Sequence, residues 1–469
     1  MNYSHPFAAK NDTICAVATP PGTGAIAIVR MSGPESLDIA FKLFFPFQKN
    51  LEKKQVKSHH MYYGEIRTEK ELVDEVLFTF FKAPRSYTGE DSVELSCHGS
   101  EFIQQKIIEL LIKNGARFAE PGEYTLRAFL NGKLDLSQAE AVADLIASQS
   151  RSAHRMALNQ MRGGFSEKIK ELRAKLLRFT SLIELELDFS EEDVEFADRR
   201  ALHQLLTVLK EELGYLISSF KVGNVLKTGI PVAIIGKPNV GKSTLLNAIL
   251  NEEKAIVSEI PGTTRDAIED TIIINGYRFR FIDTAGLRRA QDAIEDIGIG
   301  RTYDKIEQAS IILYICDISE TGPDKIEEIL NDFRNYIQDE DKHFILVANK
   351  IDQLKEIPPH LKEMLELETV FVSAKRKENI HLLAETLVNI VKEKSISADI
   401  VVSNSRHYDA LNAAFNSLEQ VEKGLAEKTP TDLVAIDIRQ ALHYLGTITG
   451  EITTDEVLGS IFSKFCIGK

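Results

Sequence analysis

Short β-rich runs alternate with polar stretches over roughly the first 120 residues. The strand candidates are TICAVAT, AIAIVRM, EVLFTFF and SVELSCHG, which are rich in β-branched and aromatic residues. One segment, EFIQQKIIELLIKNGA, has the apolar spacing of a helix, and Gly115 closes it. Residues 1–120 are therefore predicted to form a compact α+β domain.

The pattern becomes helical from Leu134 onward. Ser137 and Glu140 have the spacing of a capping box before AEAVADLIASQ. Apolar residues then recur at helical spacing, at Ile169, Leu172, Leu176, Ile183 and Leu187. Long amphipathic helices are predicted to follow one another over residues 121–222.

Helical patterns return after residue 394. LVAIDIRQALHYLGTI has one apolar face, and Thr453 with Glu456 marks the start of a final helix before FCIGK. Neither helical stretch has an obvious core of its own. We therefore expect residues 121–222 and 395–469 to pack together as one all-α domain.

Strands and helices alternate between these two stretches, over residues 223–394. The strand candidates are PVAIIG, RFRFIDTAG, IILYICD, HFILVANK and TVFVSAK. Such alternation is typical of a parallel sheet with helices on both faces. The chain is thus predicted to be a multi-domain α/β protein whose helical domain is interrupted by an inserted α/β domain.

The segment GKPNVGKS, from Gly236 to Ser243, lies between the strand PVAIIG and the helix STLLNAIL. That context makes it a P-loop, because its glycines let backbone amides approach phosphate. Lys242 would reach the outer phosphates and the Ser243 hydroxyl would ligate magnesium. The phosphate-binding residues predicted here are Asn239, Val240, Gly241, Lys242, Ser243 and Thr244.

Two further motifs suit a switch that senses the terminal phosphate. PGTTRD lies about 20 residues after the P-loop, and Thr264 is the predicted second magnesium ligand. In DTAG, Asp283 would hold magnesium through water, and the Gly286 amide would meet the terminal phosphate. The predicted contacts in these two motifs are Pro261, Gly262, Thr263, Thr264, Asp283, Thr284, Ala285 and Gly286.

The motif NKID predicts the choice of base. The Asp352 carboxylate can accept hydrogen bonds from the ring NH and the exocyclic amine of guanine, a donor pair that adenine lacks. Asn349 and Lys350 belong to the same motif, and Ser373, Ala374 and Lys375 would complete the pocket with backbone contacts. The five motifs in order predict binding and hydrolysis of GTP rather than ATP.

The water-activating group is not evident from these motifs. Ras-like enzymes carry a glutamine after DTAG, where this chain has Leu287. Asp292, Glu295 and Asp296 are all candidates, and the pattern does not choose among them. Asn239 could place an oxygen beside the phosphates for a monovalent cation, or could simply suit a tight turn.

Composition and charge narrow the setting. The net charge of −14 argues against a surface that wraps nucleic acid broadly, so RNA binding would need a local basic patch or a partner. No apolar run approaches the roughly 20 residues of a membrane span, and MNYSHPFAAKND lacks signal-peptide features. The four cysteines are scattered singly. We therefore expect a cytoplasmic protein with no membrane partner.

Several longer motifs give the chain a specific resemblance. ATPPGTGAIAIVRMSG, SYTGEDSVELSCHG, PGEYTLRAFLNGKLDLSQAEA, the interrupting GTPase domain and the terminal FCIGK resemble the MnmE family, the GTPases of tRNA wobble-uridine modification. The resemblance covers essentially the whole chain. It implies an N-terminal folate-binding and dimerising domain, and a Ras-like P-loop GTPase domain inserted in the helical domain.

The resemblance also implies roles for individual residues. Glu295 corresponds to the water-orienting glutamate, and Cys466 to a candidate catalytic thiol. The potassium ligands implied are Asn239, Ser258, Ile260 and Thr263, and the resemblance places Glu259, between two of them, among the residues that bind the nucleotide and its ions. The folate-contacting residues implied are Arg30, Glu94, Lys133 and Lys469, whose charges suit an anionic glutamate tail and a pterin ring.

The function implied is that of a homodimeric, potassium-activated GTPase with GTP or GDP and Mg²⁺ at its nucleotide site. With the FAD-dependent partner MnmG, in a heterotetramer, it would use a formyl- or methylene-type tetrahydrofolate. The product would be an aminomethyl-type or carboxymethylaminomethyl group on the wobble uridine of tRNA. The alternative is a ribosome-assembly or regulatory GTPase that acts as a binding switch without folate chemistry.

Overall fold

The computed structural model describes residues 12–69, 71–188, 199–250, 255–257, 270–282, 305–339, 341–354, 368–395, 401–427 and 429–468. These residues form two compact units. The first unit is built from Met1–Ala143, Asn159–Leu205 and Asn416–Lys469, and the second from Asp144–Leu158 and Leu206–Phe415.

The strands of the first unit are β1 Ile14–Val17, β2 Ile26–Ser32, β3 Phe44–Pro46, β4 Met61–Arg67, β5 Leu72–Phe81, β6 Ser92–His98 and β7 Arg117–Phe118. Those of the second are β8 Ile230–Ile235, β9 Ala255–Val257, β10 Asp270–Ile274, β11 Tyr277–Phe281, β12 Ile311–Asp317, β13 His343–Asn349 and β14 Thr369–Phe371.

The helices up to the P-loop are α1 Ser36–Leu43, α2 Glu101–Lys113, α3 Glu123–Leu130, α4 Leu136–Ala147, α5 Arg151–Met161, α6 Gly164–Asp188, α7 Arg199–Thr228 and α8 Lys242–Leu250. They are followed by α9 Pro323–Asp332, α10 Arg334–Ile337, α11 Ile380–Ser395, α12 Ser405–Ala426, α13 Thr431–Thr449 and α14 Asp455–Phe462. Within the described ranges, 3₁₀ turns lie at Lys53–Gln55 and Ile351–Gln353.

The sheet of the first unit has the order β3-β4-β5-β6-β2-β1-β7 over the described residues. Its neighbours pair antiparallel, except β1 and β7, which pair parallel. Along β2 and β6, Val29, Met31, Val93 and Leu95 are buried in a core shared with α1 and α2. The alternate residues of these strands lie on the opposite, more open face, as the period of a half-buried strand requires.

Helix α6 packs against α13 in the same unit. A Cβ on Gly446 would lie 3.6 Å from Nη2 of Arg173, and the guanidinium of Arg173 pairs with Glu451 just after α13. The atoms nearest to such a Cβ are Cδ1 and Cγ1 of Ile452, at 3.0 Å and 3.1 Å, so the absence of a side chain at Gly446 leaves room for Ile452.

Two predicted helix starts are wrong in detail. The capping residue of α4 is Asp135, whose Oδ1 accepts from the Gln138 amide at 3.0 Å while Gln138 Oε1 accepts from the Asp135 amide at 2.9 Å. Ser137 instead lies 2.7 Å from the hydroxyl of Ser166. The final helix is capped by Thr454, one residue later than predicted. Asp135 and Thr454 both offer a side-chain oxygen to an amide of the first turn, as the predicted caps Ser137 and Thr453 would have done.

The sheet of the second unit has the order β14-β13-β12-β8-β11-β10-β9 over the described residues. The strands from β14 to β11 run parallel, and β10 pairs antiparallel with both of its neighbours. One face packs against α8 and α11, and the other packs against α9 and α10. Because both faces are covered, β8 and β12 are buried at every position.

These two sheets and the helical segments confirm the predicted multi-domain α/β fold class. Helix α1 is an addition, because only α2 was recognised as a helix in the first 120 residues. No helix in the described part of the chain has the length and apolar character needed to cross a membrane.

Candidate functional site

The P-loop leaves the carboxyl end of β8 through a glycine that no other residue could replace without a clash. Gly236 has φ +147°, and a Cβ there would lie 2.3 Å from the carbonyl oxygen of Ile315. Gly241 has φ +101°, and its Cβ would lie 2.4 Å from Nδ2 of Asn349. The two glycines therefore let the loop lie directly against β12 and β13.

Between the glycines, Asn239 adopts a left-handed conformation with φ 62° and is exposed. Asparagine tolerates this conformation better than most residues. The next helix, α8, begins at Lys242, whose Nζ donates to the carbonyl oxygens of Gly236 at 2.8 Å and Lys237 at 3.1 Å. Ser243 and Thr244 follow in the first turn, beside the amides that a helix N-terminus offers to an anion.

Asn349, at the end of β13, joins the phosphate loop to the predicted base pocket. Its Nδ2 donates to the carbonyl oxygen of Val240 at 2.8 Å, and its Oδ1 accepts from the Ala374 amide at 3.0 Å. The side chain is 2% exposed. Asn349 was assigned to the base motif alone, and only the structure places it between both loops.

Asp352 follows β13 in a short 3₁₀ turn and is held by the loop after β14. Its Oδ1 accepts from Oγ of Ser373 at 2.7 Å, and Ser373 in turn accepts from the Arg376 amide at 3.2 Å. The hydrogen bond from Ser373 holds the pKa of Asp352 below its ordinary value. An ionised carboxylate at this place is consistent with the guanine-binding role predicted for Asp352. Lys375, next to Ala374, is exposed.

An ion pair beside this pocket was not predicted. Lys350 has φ 69°, and its Nζ lies 2.6 Å from Oδ2 of Asp317, the last residue of β12. Burial alone would raise the pKa of Asp317, but hydrogen bonds from Lys350 and Ser319 outweigh it, so the pKa is lowered. The signal available in the sequence was an aspartate that ends the apolar run IILYICD.

The remaining predicted nucleotide and catalytic residues lie outside the described part of the chain. They are Ser258, Glu259, Ile260, Pro261, Gly262, Thr263, Thr264, Asp283, Thr284, Ala285, Gly286, Asp292, Glu295 and Asp296. Among the described residues, no group of three or more His, Cys, Asp or Glu side chains is arranged to hold a metal ion.

A second cluster of predicted site residues lies on the open face of the first sheet. Arg30 on β2 and Glu94 on β6 are directly opposite each other in the antiparallel register. Nε and Nη2 of Arg30 lie 2.9 Å and 2.8 Å from Oε1 of Glu94, and the two side chains are 19% and 25% exposed. This pair offers a guanidinium and a carboxylate at one accessible place.

Two tyrosines that the sequence analysis did not single out flank Arg30. The guanidinium carbon lies 5.7 Å from the ring centre of Tyr87 and 5.8 Å from that of Tyr124. The hydroxyl of Tyr124 donates to the carbonyl oxygen of Arg30 at 2.8 Å, and that of Tyr87 lies 2.8 Å from Oγ1 of Thr125. Both tyrosines belong to motifs that carried the family resemblance.

The C-terminal segment reaches the same pair. The carbonyl oxygen of Gly468 accepts from Nη1 of Arg30 at 3.4 Å, and a Cβ on Gly468 would lie 2.4 Å from the carbonyl oxygen of Val17. Cys466 is exposed, and its carbonyl oxygen accepts from the Gly122 amide at 3.4 Å. Lys469 lies outside the described residues.

Lys133, the remaining predicted folate contact, lies beside the loop that carries Tyr87. Its Nζ donates to the carbonyl oxygen of Pro84 at 3.1 Å, and its Cγ would lie 3.2 Å from a Cβ on Gly89. These contacts join Lys133 to the loop after β5, and Tyr87 in that loop lies against the guanidinium of Arg30.

Comparisons with known proteins match both regions. The family model described as "GTP-binding protein TrmE N-terminus" matches residues 13–133, and that described as "MnmE helical domain" matches residues 136–466. The chain is 52% identical to the tRNA modification GTPase MnmE of Christiangramia forsetii and 51% identical to that of Flavobacterium psychrophilum. Each alignment covers 98% of this chain and 99% of the relative.

A solved structure, the G domain of the T. maritima FeoB iron transporter, is also similar to part of the chain. Its identity is 30% and its TM-score 0.25, and the match covers 34% of this chain and 97% of that one.

Proposed function

The chain belongs to the MnmE family of tRNA modification GTPases, and we propose that it couples GTP hydrolysis to the building of an aminomethyl-type or carboxymethylaminomethyl group on wobble uridine. It is a GTP hydrolase that binds GTP and GDP at the P-loop and the Asp352 pocket. GTP hydrolysis would drive a conformational change, because the modification transfers no phosphoryl group from GTP to the base.

The oxygen donors near the phosphates suit hard cations. Ser243 with Thr264 would hold Mg²⁺, and the amide oxygen of Asn239 with Ser258, Ile260 and Thr263 would hold K⁺. The left-handed backbone at Asn239 fits this role, since a side chain is kept there at a position that favours glycine. A bound cation would supply positive charge that offsets the charge developing on the phosphate oxygens.

Glu295 is the proposed residue that orients the attacking water. Glu295→Ala should slow turnover strongly while GTP affinity stays unchanged, since the residue would act only on the hydrolytic step. Unchanged turnover would transfer the role to Asp292 or Asp296.

The Arg30 and Glu94 pair is the proposed site for a one-carbon tetrahydrofolate of the formyl or methylene type. Glu94 would accept from the donors of the pterin ring, and the cations Arg30, Lys133 and Lys469 would attract the anionic tail. The contact between Arg30 and Gly468 carries this proposal, because it joins residues 438 positions apart into one site. Cys466, two positions before Gly468, is exposed, and its thiol is a candidate catalytic group.

We propose a cytoplasmic homodimer that works with an FAD-dependent MnmG-type partner in a heterotetramer. This chain has no second phosphate-binding glycine motif for a dinucleotide, since its P-loop is used for GTP. The redox cofactor would therefore come from the partner, and tRNA would be the shared substrate.

Mass spectrometry of wobble uridine in cells lacking the chain tests the whole proposal. The aminomethyl-type modification should disappear and return on complementation with the wild-type chain. A full complement of modified uridine in the deleted cells would refute a role in this modification.

Titration of 5-formyltetrahydrofolate separates this function from that of a simple binding switch. The wild-type chain should bind it saturably, and Glu94→Ala should weaken binding by about tenfold or more, because a charge-assisted hydrogen bond is lost. Glu75→Ala, on the neighbouring strand β5 of the same sheet, is the matched control. Absence of saturable binding to the wild type would favour the binding switch.

A further inference from the structure

A group of basic side chains lies at one place on the first unit, at the turn before β4 and the turn after β5. We call it the basic ridge, and it comprises Lys57, His59, His60, Lys82 and Arg85. All five side chains are exposed.

Backbone contacts hold the two turns of the ridge together. The Lys82 amide donates to Oγ of Ser58 at 2.9 Å, and the His59 amide donates to the carbonyl oxygen of Phe80 at 2.8 Å. The Arg85 amide donates to the carbonyl oxygen of Lys82 at 2.9 Å, which closes the second turn. The charges are therefore brought together by the fold and not only by their order in the sequence.

The charges of the ridge are not paired with carboxylates of the residues that the structure describes. Among the described residues, none lies within ion-pair distance of Lys57, Lys82 or Arg85, whereas nearby Lys53 pairs with Asp38. Two carboxylates lie at its border: Asp91, whose Oδ1 accepts from the Ala83 amide at 2.8 Å, and Glu75, which accepts from the hydroxyl of Tyr63. In a chain of net charge −14, a surface with this excess of positive charge is a local feature that overall composition does not explain.

Aromatic rings accompany these charges. The ring of His59 packs edge-on against Phe81 with 5.3 Å between centres, and Tyr62 Oη accepts from the Lys57 amide at 2.8 Å. Next to the ridge on β4, Met61 is 63% exposed and Tyr63 is 50% exposed. Cations beside accessible flat or apolar groups suit RNA, whose phosphates need positive charge and whose unpaired bases stack.

The ridge is continuous with the proposed tetrahydrofolate site. The turn that carries Lys82 and Arg85 includes Pro84, whose carbonyl oxygen accepts from Nζ of Lys133 at 3.1 Å. Two residues after Arg85, Tyr87 lies over Arg30. An RNA backbone on the ridge would thus lie next to the place where the one-carbon unit is bound.

We propose that the basic ridge binds the phosphate backbone of the substrate tRNA and so directs its wobble uridine toward the Arg30 and Glu94 site. The choice of tRNA as the ligand rests on the proposed function. The choice of this surface rests on its exposed basic side chains and on the contacts that hold them together. An acidic protein partner is the rival occupant, and the experiment below tells the two apart.

The test measures affinity of the full-length chain for tRNA purified from cells that lack it, over a range of salt concentrations. The triple variant Lys57→Gln, Lys82→Gln, Arg85→Gln should bind about tenfold more weakly near 0.15 M salt, with a log–log salt slope shallower by roughly 2, because phosphate contacts are lost. The control is Lys113→Gln, Lys325→Gln, Lys423→Gln, which removes the same charge at exposed positions elsewhere. It should bind like the wild type, and GTP hydrolysis should be unchanged in both variants.

Three results would overturn the proposal. They are no tRNA binding by the wild type, equal losses in the two triple variants, and unchanged tRNA binding by the ridge variant. If the last came with lost wobble modification in complemented cells, the ridge would belong to a protein partner. Since the deletion experiment tests the modification itself, the ridge can fail while the proposed function stands.

Discussion

The two sheets present their polar residues in different places. In the parallel sheet around β8 and β12, both faces are buried, and the polar side chains Asp317 and Asn349 occur where strands end. In the antiparallel sheet, Arg30 and Glu94 lie in the middle of paired strands, on an open face.

This difference follows from how each sheet is covered. Helices on both faces leave only the carboxyl edge of a parallel sheet for binding, so its site consists of loops. An antiparallel sheet with one open face can carry a site on the strands themselves. The first kind of site depends on backbone conformation, and the second on pairs of side chains from distant segments.

Loss of Asn349 should have the largest effect, and it tests the loop-built site. Asn349→Ala would leave the Val240 carbonyl and the Ala374 amide buried without partners, at about 1–3 kcal/mol each. GTP affinity should fall about 100-fold or more, measured by calorimetry.

The matched control for this change is Asn379→Ala. Asn379 donates to the Phe371 carbonyl at 3.0 Å but makes no described contact with the P-loop. Similar losses of affinity in the two variants would mean that Asn349 does not join the loops in any special way.

The first unit should be more sensitive to acid than the apolar α/β core. Glu123 is 6% exposed and accepts from Arg117 at 2.6 Å and Arg127 at 2.9 Å. Burial would raise the pKa of Glu123, but these hydrogen bonds lower it below its ordinary value of 4.5. Its stabilisation is thus present above pH 4.5 and is lost as pH falls through the lowered pKa.

Glu123→Gln should therefore destabilise the first unit by about 2 kcal/mol at pH 7. The stability of the variant should also fall less steeply as the pH is lowered, and thermal unfolding measured from pH 7 to 3 checks both effects. Glu171→Gln removes an exposed carboxylate that pairs with Lys168 and Lys175, and should change stability little. Equal effects would show that burial of the network is unimportant.

The dependence of GTP hydrolysis on potassium tests the cation role proposed for Asn239 in the loop-built site. Asn239→Gly keeps the left-handed backbone but removes the amide oxygen, so any stimulation of hydrolysis by K⁺ over Na⁺ should fall about tenfold. The control is Asn275→Gly, which makes the same change at φ 49° in the turn between β10 and β11. Equal hydrolysis rates in the two salts for the wild type would remove the proposed cation role.

The smallest effect is expected at Gly468, which tests the site on the open sheet face. Gly468 has φ +92°, and the Cβ that Gly468→Ala adds would lie 2.4 Å from the carbonyl oxygen of Val17. The C-terminal segment must therefore shift away from Arg30. Tetrahydrofolate affinity should fall about fivefold. Gly132→Ala has a similar φ of +67° with nothing within 4 Å of the new Cβ, and should bind normally.

Much of the nucleotide site could be predicted because its motifs are local. Gly236, Gly241 and Lys242 lie within one segment, and their types reflect the φ angles and the phosphate contacts required there. The link from Asn349 to Val240 could not be predicted, since it depends on β8 and β13 being separated by β12 in the same sheet.

The sequence by itself determined the fold class, the order of the nucleotide motifs and the charged residue types of the proposed tetrahydrofolate site. Tertiary structure alone decided that Arg30 is opposite Glu94, that Gly468 returns to them, and that the basic ridge lies beside them. The physical reason is range. Backbone conformation is set by neighbouring residues, whereas a pair between distant residues forms only when the packing of the whole unit outweighs the entropy of closing the intervening chain.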